Sequence, residues 1–258
     1  MSACKRAVVL GGNGLIGSKV VSRFRSENIE VVSVSQSSGV DTSTGKGLFA
    51  ALKDADVVVD ASDALSLDPA DVGKFFDTSC RNIFTAEVAA GVKHHVTLSI
   101  VGAGRLVGNA HFEAKRRQEE ETIKSGVPYT IVRATQLYEL IPSLASDFTE
   151  HGDVTRVPDV LIQPIAANDV AAALFEAALG DPRNAILEIG GPERAPFGSL
   201  VRKFFDFTRE RRTVQPDLAL DYFGAQVEEN SLVPSDPYLT GMTTLGEWFG
   251  QLHTRTIA

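Results

Sequence analysis

Two hydrophobic patterns alternate along the first 190 residues of the chain. Short continuous apolar runs, such as Ala7–Leu10, are typical of parallel strands covered on both faces. They are followed by segments in which apolar residues recur every three or four positions, as in Ile16, Val20 and Phe24, which is typical of amphipathic helices. At 258 residues, this alternation predicts one α/β domain with an appended lobe.

The pattern gives bounds for most elements of the domain. The predicted strands are Ala7–Leu10, Glu30–Ser35, Gly39–Asp41 at a sheet edge, Ala55–Ser62, Val96–Val101, Pro128–Arg133 and Ala185–Ile189. Helices are predicted from the N-cap Asp68 with Pro69 to Gly91, from Ala110 to Ser125-Gly126, and from the caps Asn168 and Asp169 to Gly180.

The pattern changes after the last predicted strand. We therefore divide the chain into a domain of residues 1–190 and a small C-terminal lobe of residues 191–258, with residues 137–160 contributing to a substrate pocket. Candidate apolar linings of this pocket are Leu137, Tyr138, Tyr222 and Phe223.

Three glycines at a spacing of three residues join the first predicted strand to the first predicted helix. Gly11 allows a tight turn, Gly14 lets a pyrophosphate approach the backbone, and Gly17 lets the helix lie close to the sheet. Unpaired N–H groups at the helix start then face the anion. The alternative is a bare structural turn. We predict a dinucleotide site that includes Gly11, Asn13, Gly14, Leu15, Ile16 and Gly17.

The end of the second predicted strand indicates which dinucleotide binds. An Asp or Glu about 20 residues after the glycines is typical of NAD sites, whereas this chain has Ser35, Gln36 and Ser37. Without a carboxylate to repel a 2′-phosphate, we predict NADP(H) in preference to NAD(H), although no Arg is present and a simple polar turn is the alternative. Further predicted cofactor contacts are Asp41, Ala61, Ser62, Ala134 and Thr135.

Charge and cysteine content exclude several classes of protein. A formal net charge of −8 argues against nucleic acid or an anionic membrane as partner, and no apolar stretch approaches the roughly 20 residues of a membrane span. Cys4 and Cys80 have no metal-binding spacing, and the adjacent His94 and His95 are predicted to be a solvated pair rather than metal ligands. We expect a cytoplasmic monomer or homodimer that acts on a small molecule and holds no metal.

Several motifs occur together in a fixed order. They are the glycine turn, Leu98–Gly102, Lys115, Ser125–Arg133 and Gln163–Ala171. In this order and spacing the chain closely resembles the atypical short-chain dehydrogenases/reductases, in particular the NmrA-like, NAD(P)H-binding family. The resemblance implies a Rossmann-type doubly wound parallel sheet with helices on both faces and a substrate lobe at its C-terminal end.

The resemblance also implies candidate catalytic residues. Redox members of the family use a Tyr-x-x-x-Lys pair, in which the Tyr exchanges a proton with the substrate and the Lys holds the nicotinamide ribose. Lys115 occupies the Lys position and His111 occupies the Tyr position, while Ser99 is the nearest match to the assisting Ser. An imidazole can also donate a proton near neutral pH. The alternative for His111 is a histidine that simply starts a helix. The alternative for Lys115 is one more charge on a charged helix.

Two functions from different classes fit these residues. The first is an NAD(P)H-dependent oxidoreductase that reduces a small organic substrate with a hydride from the nicotinamide. The alternative is a non-catalytic NAD(P)-sensing regulator, because the resemblance includes members that bind the dinucleotide and lack the catalytic Tyr. A nucleotide-sugar epimerase ranks third, since the Tyr is missing and the lobe is short.

Overall fold

A seven-stranded parallel sheet forms the centre of the computed structural model, which describes residues 4–64, 68–149 and 153–257. From one edge to the other, the strands are β11 (Leu239–Thr240), β8 (Ile186–Gly190), β5 (Tyr129–Ala134), β4 (His94–Ile100), β3 (Val57–Asp60), β1 (Arg6–Leu10) and β2 (Glu30–Val34). The strand order reverses at β1, which pairs with β2 on one side and β3 on the other. In open α/β sheets the ligand crevice lies at such a reversal, beyond the carboxyl ends of the strands.

Helices cover both faces of the sheet. One layer holds α1 (Gly17–Ser26) and α6 (Ala167–Leu179), and the other holds α2 (Leu48–Leu52), α3 (Pro69–Ala90) and α4 (Ala110–Lys124). Successive residues of β1 pack against opposite helix layers. Val9 packs in the cluster of α1 and α6, whereas Val8 packs in the cluster of α2 and α3. This two-sided burial explains why the strand is continuously apolar.

The ends of α3 confirm the predicted capping residues. The Asp68 carboxylate accepts a hydrogen bond of 2.9 Å from the Ala70 N–H, and the helix ends at Gly91, whose φ is +70°. A left-handed residue at the end of a helix is strained for residues with a side chain, so glycine suits it. α4 ends in the same way as predicted, at Ser125 followed by Gly126 with a φ of +77°.

A second apolar core joins the C-terminal lobe to the segment before it. The lobe contributes β9 (Ala195–Pro196), α7 (Phe197–Thr208), β10 (Thr213–Asp217) and α8 (Leu245–Ile257), and the preceding segment contributes α5 (Ile141–Asp147), β6 (Val154–Pro158) and β7 (Leu161–Ile162). β10 pairs with β6, and β7 with β9, in two small sheets. The rings of Tyr138 and Trp248 lie 5.7 Å apart in this core, and Tyr222 is buried there too. Tyr138 and Tyr222 are therefore core residues and not exposed pocket linings.

Three local predictions are wrong. Residues 39–41 form no strand, because a 3-10 helix (Gln36–Ser38) ends the β2 segment and the Asp41 carboxylate closes a turn with Ser43. α6 starts after Ala166 with no side-chain cap, and the Asp169 carboxylate instead accepts two hydrogen bonds from Thr243. Ile186–Gly190 is not the last strand, since β11 follows it.

The adjacent histidines are not solvated. His94 is 4% exposed and its Nε2 lies 2.9 Å from the Thr130 hydroxyl, while His95 is fully buried with Nδ1 2.7 Å from Glu87 Oε1. Their side chains do point to opposite faces of the sheet, as expected for neighbours on a strand. The sheet is covered on both faces, so opposite directions mean burial for both rings.

Burial of His94 predicts acid sensitivity. Burial lowers the pKa of His94 to about 4 from an ordinary value of 6.5, so between these pH values the unfolded state binds one more proton than the folded state. The free energy of unfolding should therefore fall on acidification by about 1.4 kcal/mol per pH unit from this group. Urea titrations of the native protein and His94→Gln between pH 4 and 6.5 measure the two slopes, and equal slopes would contradict the assignment.

Candidate functional site

The glycine turn is held by very close backbone contacts at the end of β1. Gly11 has a φ of +70°, and a Cβ built on it would lie 2.6 Å from the Ala61 carbonyl oxygen. A Cβ on Gly17 would lie 2.2 Å from the Gly11 carbonyl oxygen. Side chains are excluded at both positions, which supports the predicted tight turn, although Gly17 approaches the turn itself rather than the sheet.

The turn presents free donors at the start of α1. Within the described residues, the backbone N–H groups of Leu15 and Ile16 have no acceptor, and Gly14 is exposed beside them. The Leu15 side chain is exposed, whereas that of Ile16 is buried against α1 and α6, so only the backbone of Ile16 is available to a ligand. Unpaired N–H groups at a helix start are a site for phosphate.

Gly12 is a residue that the sequence reasoning missed. Its N–H donates to the Val34 carbonyl oxygen at 3.0 Å, and a Cβ built on it would lie 2.3 Å from the Ser33 hydroxyl. This contact fixes the glycine turn against the end of β2. The doubled Gly11-Gly12 in the sequence was the signal that indicated a second close approach.

The predicted adenosine contacts lie together beside the turn. The Asn13 side-chain amide donates to the hydroxyls of Ser35 and Ser37 at 2.8 and 3.0 Å, and its oxygen accepts from Ser33. The Ser35 and Ser37 hydroxyls are 2.9 Å apart. The structure thus gathers a group of uncharged donors at the end of β2, while the side chain of Gln36 lies outside the described part of the chain.

Three other predicted cofactor contacts are bonded to different parts of the structure. Ala61 pairs with the end of β1, through its N–H and the Leu10 carbonyl oxygen at 3.0 Å. The Ser62 hydroxyl and N–H both donate to Asp60 Oδ1, at 2.5 and 3.0 Å. Asp41 lies in its own turn, where the hydrogen bond from the Ser43 hydroxyl lowers the pKa of the Asp41 carboxyl. Asp41 is therefore ionised at neutral pH.

At the end of β5 the predicted residues offer little more than backbone. The Ala134 side chain is buried in the core of α1 and α6, and the Thr135 hydroxyl donates to the Gln163 carbonyl oxygen at 2.6 Å. Neither side chain is free to bind a ligand in this arrangement. Their predicted contact with the cofactor therefore reduces to main-chain groups at the carboxyl end of the sheet.

His111 and Lys115 lie on one face of α4, as their spacing predicts. Both face the buried ring of Phe76, with the His111 ring centroid at 6.4 Å and the Lys115 ammonium at 4.7 Å. The His111 side chain is 38% exposed, and its Nδ1 lies 3.7 Å from Asp63 Oδ1. Burial lowers the pKa of His111, while the Asp63 carboxylate opposes the shift. The imidazole is thus neutral at pH 7.

Lys115 is only 3% exposed and is held by several partners. Its ammonium donates to the Leu98 carbonyl oxygen and to Gln118 Oε1, each at 3.1 Å. The Gln118 amide nitrogen donates in turn to Asp60 Oδ2 at 2.9 Å. The ammonium therefore has two of its three N–H groups in hydrogen bonds, and the Phe76 ring covers it.

Ser99 contacts α4 at Glu119, one helical turn beyond Lys115, and not at His111 or Lys115. The Ser99 hydroxyl is fully buried and donates to Glu119 Oε1 at 2.5 Å. Both oxygens of Glu119 also accept from Arg133, at 2.8 and 2.6 Å. Ser99 is therefore part of a buried ion pair between α4 and β5, and this geometry gives no support to its predicted catalytic role.

These features define a class of protein. A parallel sheet whose order reverses at a glycine turn, with free N–H groups at the following helix, has the geometry of a dinucleotide-binding Rossmann domain. A family model described as NAD(P)H-binding matches residues 11–181. The chain therefore belongs to this NAD(P)H-binding family. Comparison with curated protein sequences gives no match.

Solved structures share the fold at low sequence identity. A short-chain dehydrogenase/reductase superfamily protein from Agrobacterium tumefaciens with bound NAD has a TM-score of 0.75 at 16% identity, with 98% of this chain and 97% of that chain covered. A UDP-glucose 4-epimerase from Thermotoga maritima with UDP-glucose has a TM-score of 0.74 at 16% identity, covering 98% and 100%. The dTDP-4-dehydrorhamnose reductase from Bacillus anthracis in complex with NADP has a TM-score of 0.66 at 14% identity, with 95% of this chain and 93% of that chain covered. These similarities show the Rossmann-like fold.

Among the described residues, no three or more His, Cys, Asp or Glu side chains are grouped so that they could hold a metal ion. The helices in the same part of the chain include none that is long and apolar enough to cross a membrane.

Among the three spaced glycines of the turn, Gly14 is the one at which a side chain meets the least steric conflict, so Gly14→Val tests the phosphate site. A Cβ on Gly14 would meet only the Gly11 carbonyl oxygen, at 3.2 Å, and its φ is not in the left-handed region. The variant should fold as the native protein does and lose dinucleotide affinity by at least about a hundredfold, because the branched side chain occupies the position of the pyrophosphate. Titration with NADPH measures the affinity. Gly246→Val, at an exposed position of α8, is the control. Native affinity in Gly14→Val would contradict this site.

Proposed function

We propose that this protein is an NAD(P)H-dependent reductase of a small organic substrate. The observation that carries the proposal is the shared face of His111 and Lys115. It accompanies a glycine turn that offers free N–H groups at the other end of the crevice. When bound, the dinucleotide supplies the hydride. The chain supplies orientation, through the turn and Lys115, and a proton, through His111. A net charge of −8 supports the absence of nucleic acid or an anionic membrane as partner. The proposal includes a cytoplasmic monomer or homodimer.

His111 is the residue best placed to donate a proton. It is partly exposed, lies within reach of the Asp63 carboxylate, and starts α4 beside the predicted nicotinamide end of the crevice. Tyr138 is a poorer candidate, because its hydroxyl is buried in the lobe core and burial raises its pKa. Lys115 acts one helical turn further on, where its ammonium reaches the ribose of the nicotinamide in this proposal.

Uncharged donors beside the glycine turn support a preference for NADP(H). The side chains of Asn13, Ser35 and Ser37 form a hydrogen-bonded group in which hydroxyls can turn to donate to a 2′-phosphate. The group contains no carboxylate that would repel this anion. The preference for NADP(H) over NAD(H) therefore rests on hydrogen bonds from uncharged groups, since the group also contains no arginine.

Ser35→Asp should reverse the cofactor preference. The new carboxylate repels a 2′-phosphate and accepts hydrogen bonds from the ribose hydroxyls of NAD(H). We expect the native protein to bind NADPH more tightly than NADH, and the variant to bind NADPH at least about tenfold more weakly than the native protein. Fluorescence titration with both cofactors measures this, with Ser35→Ala as the matched control. Equal affinities of the native protein for the two cofactors would contradict the proposal.

His111→Phe should separate cofactor binding from turnover. Consumption of NADPH over a panel of quinones, aldehydes, imines and enones first identifies a substrate. The variant should then bind NADPH as the native protein does and lose turnover by about 10²–10⁴-fold, as for a lost general acid. Because the pKa of His111 lies below 6.5, native turnover should rise as the pH falls from 7.5 to 5.5, and this rise should be absent in the variant. Full turnover in His111→Phe would contradict the proton-donor role.

The hydrogen bonds that already hold Lys115 favour a second candidate function, a non-catalytic NAD(P)-sensing regulator. The ammonium is already bound by Leu98 and Gln118 and covered by Phe76, as suits a structural lysine. Tight NADPH binding that alters association with another protein, without turnover of any member of the panel, would support the sensor. Turnover that depends on His111 would exclude it.

A further inference from the structure

We propose that Gln118 is the positioning residue for Lys115: its amide links the ammonium to Asp60 and holds it where it meets the cofactor's nicotinamide ribose. This inference rests on the proposed role of Lys115 at that ribose. Gln118 belongs to none of the motifs that the sequence analysis singled out. It lies on α4, three residues after Lys115, and is almost fully buried.

The hydrogen-bond chemistry fixes the direction of the Gln118 amide. The Asp60 carboxylate only accepts hydrogen bonds and the Lys115 ammonium only donates them, so the amide nitrogen faces Asp60 and the amide oxygen faces Lys115. No other orientation satisfies both partners. A neutral side chain thereby connects two buried, opposite charges without a direct salt bridge between them.

The position of the ammonium follows from the same contacts. An ammonium has three N–H donors, of which two are used by the Leu98 carbonyl oxygen and Gln118 Oε1. The Phe76 ring lies 4.7 Å from the nitrogen. A hydroxyl oxygen is a better acceptor than a ring face, so the third N–H is the one that a ribose hydroxyl can take while the other two bonds hold the nitrogen in place.

The same link reaches the nucleotide crevice. Asp60 accepts from Gln118 through one carboxylate oxygen and from Ser62 through the other. Ser62 follows Ala61, whose carbonyl oxygen is in contact distance of the Gly11 position. Asp60 therefore anchors both the loop beside the glycine turn and the amide that holds Lys115, and the two ends of the crevice share one buried acceptor.

Binding of a whole cofactor and of a fragment distinguishes positioning from general stability. The probes are NADPH and 2′,5′-ADP, which lacks the nicotinamide ribose and does not reach Lys115; NADH and AMP replace them if the protein prefers NADH. Gln118→Met keeps the length of the side chain and removes both hydrogen bonds. We expect it to weaken NADPH by about tenfold, as for the loss of a hydrogen bond to a charged group, and to leave 2′,5′-ADP affinity within about twofold.

Two further variants complete the experiment. Thr122→Val perturbs the same buried helix face, where Thr122 bonds to Thr97 and to the Gln118 carbonyl oxygen, but it does not contact Lys115. It should leave the ratio of the two affinities unchanged. Gln118→Asn is one methylene shorter and cannot span both partners, so it should repeat the selective loss if Gln118→Met does not fold.

The outcomes separate this inference from the proposed function. Lys115→Met should weaken NADPH selectively; if it does and the Gln118 variants do not, Gln118 is not a positioning residue while the role of Lys115 stands. If the Gln118 variants weaken both ligands equally, the role of Gln118 is only structural and the inference is overturned. If Lys115→Met leaves NADPH affinity unchanged, the proposed role of Lys115 fails and the inference fails with it.

Discussion

The close approach of three backbone segments at the end of β1 is the constraint on which the site depends. The Gly11 and Gly17 positions and the Ala61 carbonyl lie so near one another that no side chain fits between them. This contact sets the direction in which α1 leaves the sheet, and therefore the direction of its free N–H groups. It also places the end of β3 beside the turn, so that Asp60 and Ser62 border the same crevice.

A second organising feature is the polar inner face of α4. Lys115, Gln118, Glu119 and Thr122 are all buried, and each bonds to a strand residue or to a partner that does. Buried polar groups are costly unless they are paired, and truncating one partner leaves the other unpaired. These pairs therefore fix the position of α4 on the sheet, because any other register of α4 on β4 would break them.

Sequence reasoning predicted the elements whose signals are local. The caps of α3 at Asp68 and Gly91, the glycine turn and the common face of His111 and Lys115 depend on neighbouring residues alone, and the structure has them. Burial of His95 depends on Glu87 from another element, and the burial of Glu119 depends on Arg133. Such partners lie in other elements, so the sequence patterns indicate only a charged helix at α4 and a solvated pair of histidines. The strands of the lobe are two to five residues long, too short for a periodic signal.

The return of the chain from the lobe to the main sheet limits how the crevice can open. β11 pairs with β8, and the Gly241 N–H donates to the Gly190 carbonyl oxygen. Two residues further on, the Asp169 carboxylate accepts hydrogen bonds from the N–H and the hydroxyl of Thr243. These bonds fix residues 239–243 to the main sheet, so any motion of the lobe has to bend the chain on either side of this segment. The lobe is thereby tethered beside β8 at two places along the chain, which narrows the range over which it can move relative to the crevice.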